Sequence, residues 1–213
     1  MLAVAVSLAL VACARPPVSY RPDADRKIPR PPGVITWTYE AVLDATPEEV
    51  WTRYLDLERY PQWNPFILEA VPRTPREGGP QVGDTIDIRV ALAGRERAMW
   101  HRVYELTPPA PGRDGRFCWR DGGASTALVT GARCRVFARV DGGRTRFTQR
   151  LTIGGSAREL ARRRYGPALE ASLRRETEAL RAELTRRRDD DERTTARRRE
   201  AARASRSAAS APR

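Results

Sequence analysis

Along residues 34–45, VITWTYEAVLDA, apolar and polar side chains alternate. Ile35, Trp37, Tyr39, Ala41 and Leu43 share one face, as in a half-buried strand. The period then changes. In TPEEV, Thr46 is a good N-cap, Pro47 suits the first helical position, and Glu49 stands where a capping box needs it. Val50, Trp51, Tyr54 and Leu55 recur at helical spacing, so a helix is expected to about Leu57. The stretch LERYPQWNPFI, residues 57–67, interrupts it. Pro61 and Pro65 disfavour helix at the residue before each, which puts Trp63 and Phe66 on a forced turn facing inward. Asn64 is suited to bonding its own backbone there. A strand at about 67–72 follows.

Four further strands read clearly: DTIDIRVAL (84–92), RAMWHRVYEL (97–106), RFCWR (116–120) and ARCRVFARV (132–140). The turn DGG at 141–143 leads into RTRFTQRLTIGG, a tight hairpin. Such meander signals imply an antiparallel sheet. From Ser156 the period is helical, with Leu169, Leu173, Leu180 and Leu184 in one apolar stripe. Gly166-Pro167 should kink or restart this helix. The stripe and the apolar sheet face must cover each other. Residues 189–213 contain no large apolar side chain and are expected to fray into a disordered basic tail.

The N-terminal residues set the expected compartment. Residues 1–12 form an uncharged apolar run of signal-peptide length, too short to span a bilayer. LVAC at 10–13 resembles a bacterial lipobox, in which the cysteine, here Cys13, is acylated and becomes the new N-terminus. No basic residue precedes the run, a departure from the usual signal. Residues 13–33 then hold the cysteine and a proline-rich, solvated tether. The expectation is a lipid-anchored protein at the cell membrane, with residues 34–188 as a domain outside the cytoplasm.

The chain has 213 residues and 40% apolar composition, enough for one core but hardly two. The net charge of +12 comes almost wholly from arginine, since Lys27 is the only lysine. Such an excess favours anionic surfaces, though it equally fits a coding bias toward arginine. Nucleic acid is disfavoured by the export signal and by a tail without aromatics for base stacking.

The order strand, helix, helix-turn, antiparallel strands and closing amphipathic helix, with ATPEEVW, YPQWNPFI and DGGRTRF, resembles the START-like (SRPBCC) superfamily. The nearest branch is the polyketide cyclase/dehydrase and lipid-transport group. The resemblance covers roughly residues 34–186. It implies an α+β helix-grip fold, in which a curved antiparallel sheet wraps the C-terminal helix and leaves a cavity between them. Trp63, Phe66, His101, Trp119, Leu169 and Leu173 are then the candidate ligand contacts, against the alternative of a fully packed core. The superfamily includes binders, transfer proteins and cyclases, so fold does not decide activity.

The chemistry legible in the chain is sparse. His101 is the only histidine. Alternation groups it with Met99 and Val103, so it lines the cavity only if that face is concave. No acid/base partner for it is evident. No Ser-His-Asp set, phosphate loop, dinucleotide fingerprint or zinc spacing appears, and neither a cofactor nor a metal is expected. Cys118 and Cys134 invite a disulfide in an oxidising compartment. Alternation sets Cys118 outward beside inward Phe117 and Trp119, while Cys134 shares a face with Val136 and Ala138. A bridge between opposite faces needs a bulge. The leading expectation is a monomeric, membrane-tethered binder of a hydrophobic small molecule or lipid. The alternative is a cyclase/dehydratase-like enzyme using His101 or a cavity tyrosine.

Overall fold

The computed structural model describes residues 33–123, 126 and 128–209, with side chains through Glu200. Cys13, the apolar run before it and the tether to residue 32 lie outside the described residues. The elements are β1 (Ile35–Leu43), α1 (Pro47–Leu55), a single turn at Leu57–Arg59, α2 (Tyr60–Trp63), β2 (Ile67–Pro72), β3 (Thr85–Leu92), β4 (Arg95–Thr107), β5 (Gly115–Asp121), β6 (Thr130–Arg139), β7 (Thr145–Gly154) and α3 (Arg158–Ala209). The strands form one seven-stranded antiparallel sheet in the order β1-β7-β6-β5-β4-β3-β2. Successive strands from β2 to β7 pair as a meander, and β1 closes the far edge against β7. The helices α1 and α2 carry the chain from one sheet edge to the other.

Local chemistry explains these boundaries. Thr46 Oγ1 accepts from the Glu49 N–H at 3.3 Å, and Glu49 Oε2 accepts from the Thr46 N–H at 2.7 Å, completing the capping box. Asn64 Oδ1 accepts from the N–H groups of Phe66 (2.9 Å) and Ile67 (2.8 Å), which fixes the turn into β2. Pro61 departs from its expected role. It opens α2 instead of ending a helix, and the Asn64 N–H closes that turn on the Tyr60 carbonyl at 2.8 Å. At the first positions of a helix a missing N–H costs nothing, so the proline is tolerated.

Two expectations about α3 are corrected. The helix runs 52 residues, through Gly166-Pro167 without a break. Gly166 marks its close approach to β1, because a Cβ there would lie 3.3 Å from Trp37 Cζ2. Residues 189–209 are also helical, not disordered. After Pro167 the described helix has neither glycine nor proline, and alanine, arginine and glutamate are strong helix formers. Pairs such as Arg193–Asp190 at 2.7 Å add local support along the exposed face.

The cysteine reading is also corrected. Cys118 and Cys134 are directly opposite in the β5–β6 register and form a disulfide, with Cα atoms 4.1 Å apart. Cys118 lies on the convex side, as alternation requires. The error lay in β6: Arg133, Arg135 and Phe137 are its inward residues, while Cys134, Val136 and Ala138 face the other way. No bulge is needed.

The core is an aromatic cluster beneath α1 and α2. Tyr54 is its hub, with ring centroids 5.5 Å from Phe147, 5.8 Å from Phe137 and 5.8 Å from Tyr60. Such edge and tilted pairs stabilise beyond simple area burial.

Candidate ligand cavity

Beside this cluster, beyond the contact of α3 with β1, the concave face of the sheet and the start of α3 stand apart. Between them lies a cavity of about 420 Å³, within the range usual for small-molecule sites. Ile88, Val90 and Leu92 of β3 form one wall, Leu151 and Ile153 of β7 another. Ala161, Tyr165 and Leu169 of α3 form the roof. The walls are apolar because strand alternation sends every second residue inward. At the rim, Arg97 Nη2 donates to the Tyr165 hydroxyl at 3.0 Å, linking β4 to α3. A larger cleft of about 820 Å³ lies between α1 and the distal part of α3. Its lining is dominated by charged residues such as Glu48, Arg187 and Asp191.

Two polar groups interrupt the apolar wall. The first is His101, whose Nε2 donates to Asp121 Oδ1 at 2.8 Å. Asp121 is itself held by the Gly131 N–H, 2.7 Å from Oδ2. Residue 131 must be glycine for this, since a Cβ would sit 2.7 Å from the same oxygen. With Nε2 engaged by the carboxylate, His101 Nδ1 is left buried and without a hydrogen-bond partner. The ring stacks on Trp119 at 5.2 Å, and Trp119 in turn covers the Arg135 guanidinium at 4.3 Å.

The second is Arg133, which lies in the cavity lining with its guanidinium 5.2 Å from the Phe66 ring centre. Its Nη2 donates to Gln149 Oε1 at 2.7 Å and lies 3.0 Å from Glu176 Oε2. Gln149 Nε2 donates onward to Thr177 Oγ1 at 2.8 Å and to the Leu173 carbonyl at 3.1 Å. The Tyr54 hydroxyl donates to Glu176 Oε1. Burial pushes the Tyr54 hydroxyl well above the ordinary tyrosine value. Burial likewise lowers the Arg133 guanidinium from its ordinary value, and the Glu176 carboxylate opposes that shift.

Of the residues singled out in the sequence, Phe66, His101, Trp119 and Leu169 line this cavity. Trp63 and Leu173 do not. Trp63 packs into the aromatic core at 5.2 Å from Tyr60, because the α2 turn points it under α1 instead of toward α3. Leu173 is buried one turn further along α3, beside the Gln149 side chain. Sequence reasoning missed Asp121, Arg133 and Glu176. One signal for them was present: Glu176 falls inside the Leu169–Leu173–Leu180 stripe, and an acid in such a stripe calls for a buried basic partner.

A curved antiparallel sheet that grips a long helix over an apolar cavity defines the START-like superfamily. Within it, the chain belongs to the polyketide cyclase / dehydrase and lipid transport family, whose model matches residues 34–185. Solved structures agree on the fold. The Zhui aromatase/cyclase from Streptomyces sp. R1128 superposes with a TM-score of 0.59 at 15% identity, over 72% of this chain and 95% of its own. A START superfamily protein from Mycobacterium smegmatis gives 0.52 at 17% identity, over 72% and 98%. A hypothetical protein from Helicobacter pylori gives 0.59 at 12% identity, over 70% and 88%. No curated protein matches the chain by sequence.

Proposed function

We propose that the chain is a binding module for a hydrophobic small molecule or lipid, held between the sheet and α3. The observation that carries this reading is the cavity itself, apolar on most sides and bounded by Phe66, Trp119 and Leu169. Removing such a ligand's apolar surface from water supplies roughly 25 cal/mol per Å². The test is Nile red fluorescence with the purified protein. The parent should bind the dye, and Ala161→Trp, which fills the roof, should weaken binding about tenfold or more. Equal affinity in both proteins would remove the cavity as the site.

The binder is proposed to work at the outer side of the cell membrane, tethered through acylated Cys13. LVAC at 10–13 supports the anchor, and the Cys118–Cys134 disulfide supports an oxidising compartment. No described helix is long and apolar enough to cross a membrane. Cys13→Ser should move the protein from the membrane fraction to the soluble one, and undiminished retention would sink the tether.

A second reading is favoured by one observation. The His101–Asp121 pair stands in the cavity wall with Nδ1 open, the arrangement of a general base oriented by a carboxylate. In a cyclase/dehydratase-like enzyme His101 would take a proton from a bound polyketone. Turnover of such a substrate that disappears in His101→Gln places the protein in this class.

A further inference from the structure

We infer that the cavity takes an amphiphile bearing a single carboxylate, and that this head group is received by Arg133. The inference rests on the proposed cavity-binding function and adds the chemical class of its ligand. Its basis is a charge imbalance in the interior. Arg133 and Arg135 are both buried, and Glu176 is the carboxylate that faces them. Glu176 cannot serve both equally. It lies 3.0 Å from Arg133 Nη2 but 3.9 Å from Arg135 Nη2, and it also accepts from the Tyr54 hydroxyl.

The consequence is a pair of buried guanidinium groups with unspent donors. Arg135 Nε, Nη1 and Nη2 and Arg133 Nε have no hydrogen-bond partner. A buried, unpaired cation is costly, and the rings of Tyr54, Phe117 and Trp119 beside Arg135 offset only part of that cost. Of the two arginines, Arg133 is the one in the cavity wall. The acid in the cavity wall, Asp121, is part-exposed and already held by His101 and the Gly131 N–H. A carboxylate entering the cavity therefore meets one buried guanidinium that shares its single carboxylate with Arg135 and keeps its Nε donor unspent, while its apolar chain lies along Ile88, Val90 and Leu151. A guanidinium offers a carboxylate planar, charge-assisted hydrogen bonds. One added negative charge also balances the two arginines against Glu176.

The test uses two ligands of equal chain length, dodecanoate and dodecanol, each displacing Nile red from the full chain at pH 8. Dodecanoate should bind about ten- to hundredfold tighter, the value of a hydrogen bond to a charged group. In Arg133→Met the preference should vanish while dodecanol affinity holds. If the parent binds the two within about threefold, the carboxylate inference fails and the cavity reading survives. If the parent binds Nile red and neither ligand displaces it, the inference fails as well. If the parent does not bind Nile red at all, the cavity reading itself fails and takes this inference with it. The comparison on the parent needs no variant, so misfolding of Arg133→Met leaves it decisive.

Discussion

Replacing Glu176 by glutamine lowers the stability of the domain by about 3–5 kcal/mol. For a domain of this size each kcal/mol is roughly 2–4 °C in Tm, so thermal denaturation followed by circular dichroism reads the effect directly. The cause is not a lost attraction alone. Glutamine is nearly isosteric, so packing around Tyr54 and Thr177 is kept. What changes is that two fully desolvated guanidinium groups lose the carboxylate facing them. Removing one partner of a buried charged set leaves the other uncompensated. The triple replacement Arg133→Met, Arg135→Met and Glu176→Leu removes the charges together, and its stability should lie near that of the parent. A Glu176→Gln variant within about 1 kcal/mol of the parent would mean that the arginines are not charged and dry in the folded state.

Trp63→Ala costs about 3–5 kcal/mol as well, by a different route. The indole is almost wholly buried between Tyr60 at 5.2 Å and Tyr54 at 6.1 Å, and Arg53 lies over its face at 5.9 Å. Truncation opens a void under the rigid α2 turn, where Asn64 and two prolines prevent collapse. Because Trp63 does not line the cavity, Nile red affinity should stay within about twofold of the parent when measured well below the variant's Tm. Urea unfolding and dye titration on the same preparation separate the two effects. A variant that keeps its stability but loses the dye would return Trp63 to the wall of the site.

Most of the fold is legible in the sequence because its signals are local and agree with one another. The Thr46 capping box, the Asn64 turn, the alternation of β3 and the DGG turn each fix geometry over a few residues. Local signals fail where tertiary context decides. Pro61 looks like a helix stop because it disfavours helical backbone at Tyr60, yet the α2 turn accepts it at its start. The segment after Arg188 looks disordered because it has nothing to bury, yet its helix propensity carries α3 on to Ala209. In the cavity, the inward direction of Trp119 and Leu169 follows from periodicity and that of Phe66 from the turn forced by Pro61 and Pro65, while a cavity at that place is what the family resemblance implies. Asp121, Arg133 and Glu176 do not, because a charged residue is read as outward-facing until its partner from a distant segment is known. Arg133 and Glu176 are joined only by folding, and neither segment alone shows the pair.

The disulfide matters for more than the compartment it implies. By hydrophobic pattern alone, β6 prefers the wrong phase: Ala132, Cys134, Val136 and Ala138 make a more apolar face than Gly131, Arg133, Arg135 and Phe137. A slip of one residue would turn that apolar set inward and expel both arginines. The strand is thus a point of frustration, with two competing registers written into one sequence. Cys134 can meet Cys118 only in the register that buries the arginines. The disulfide is therefore a covalent mark of one of the two registers. It ties together the alignment that hydrophobicity would reject, and with it the charged floor beneath an otherwise oily chamber.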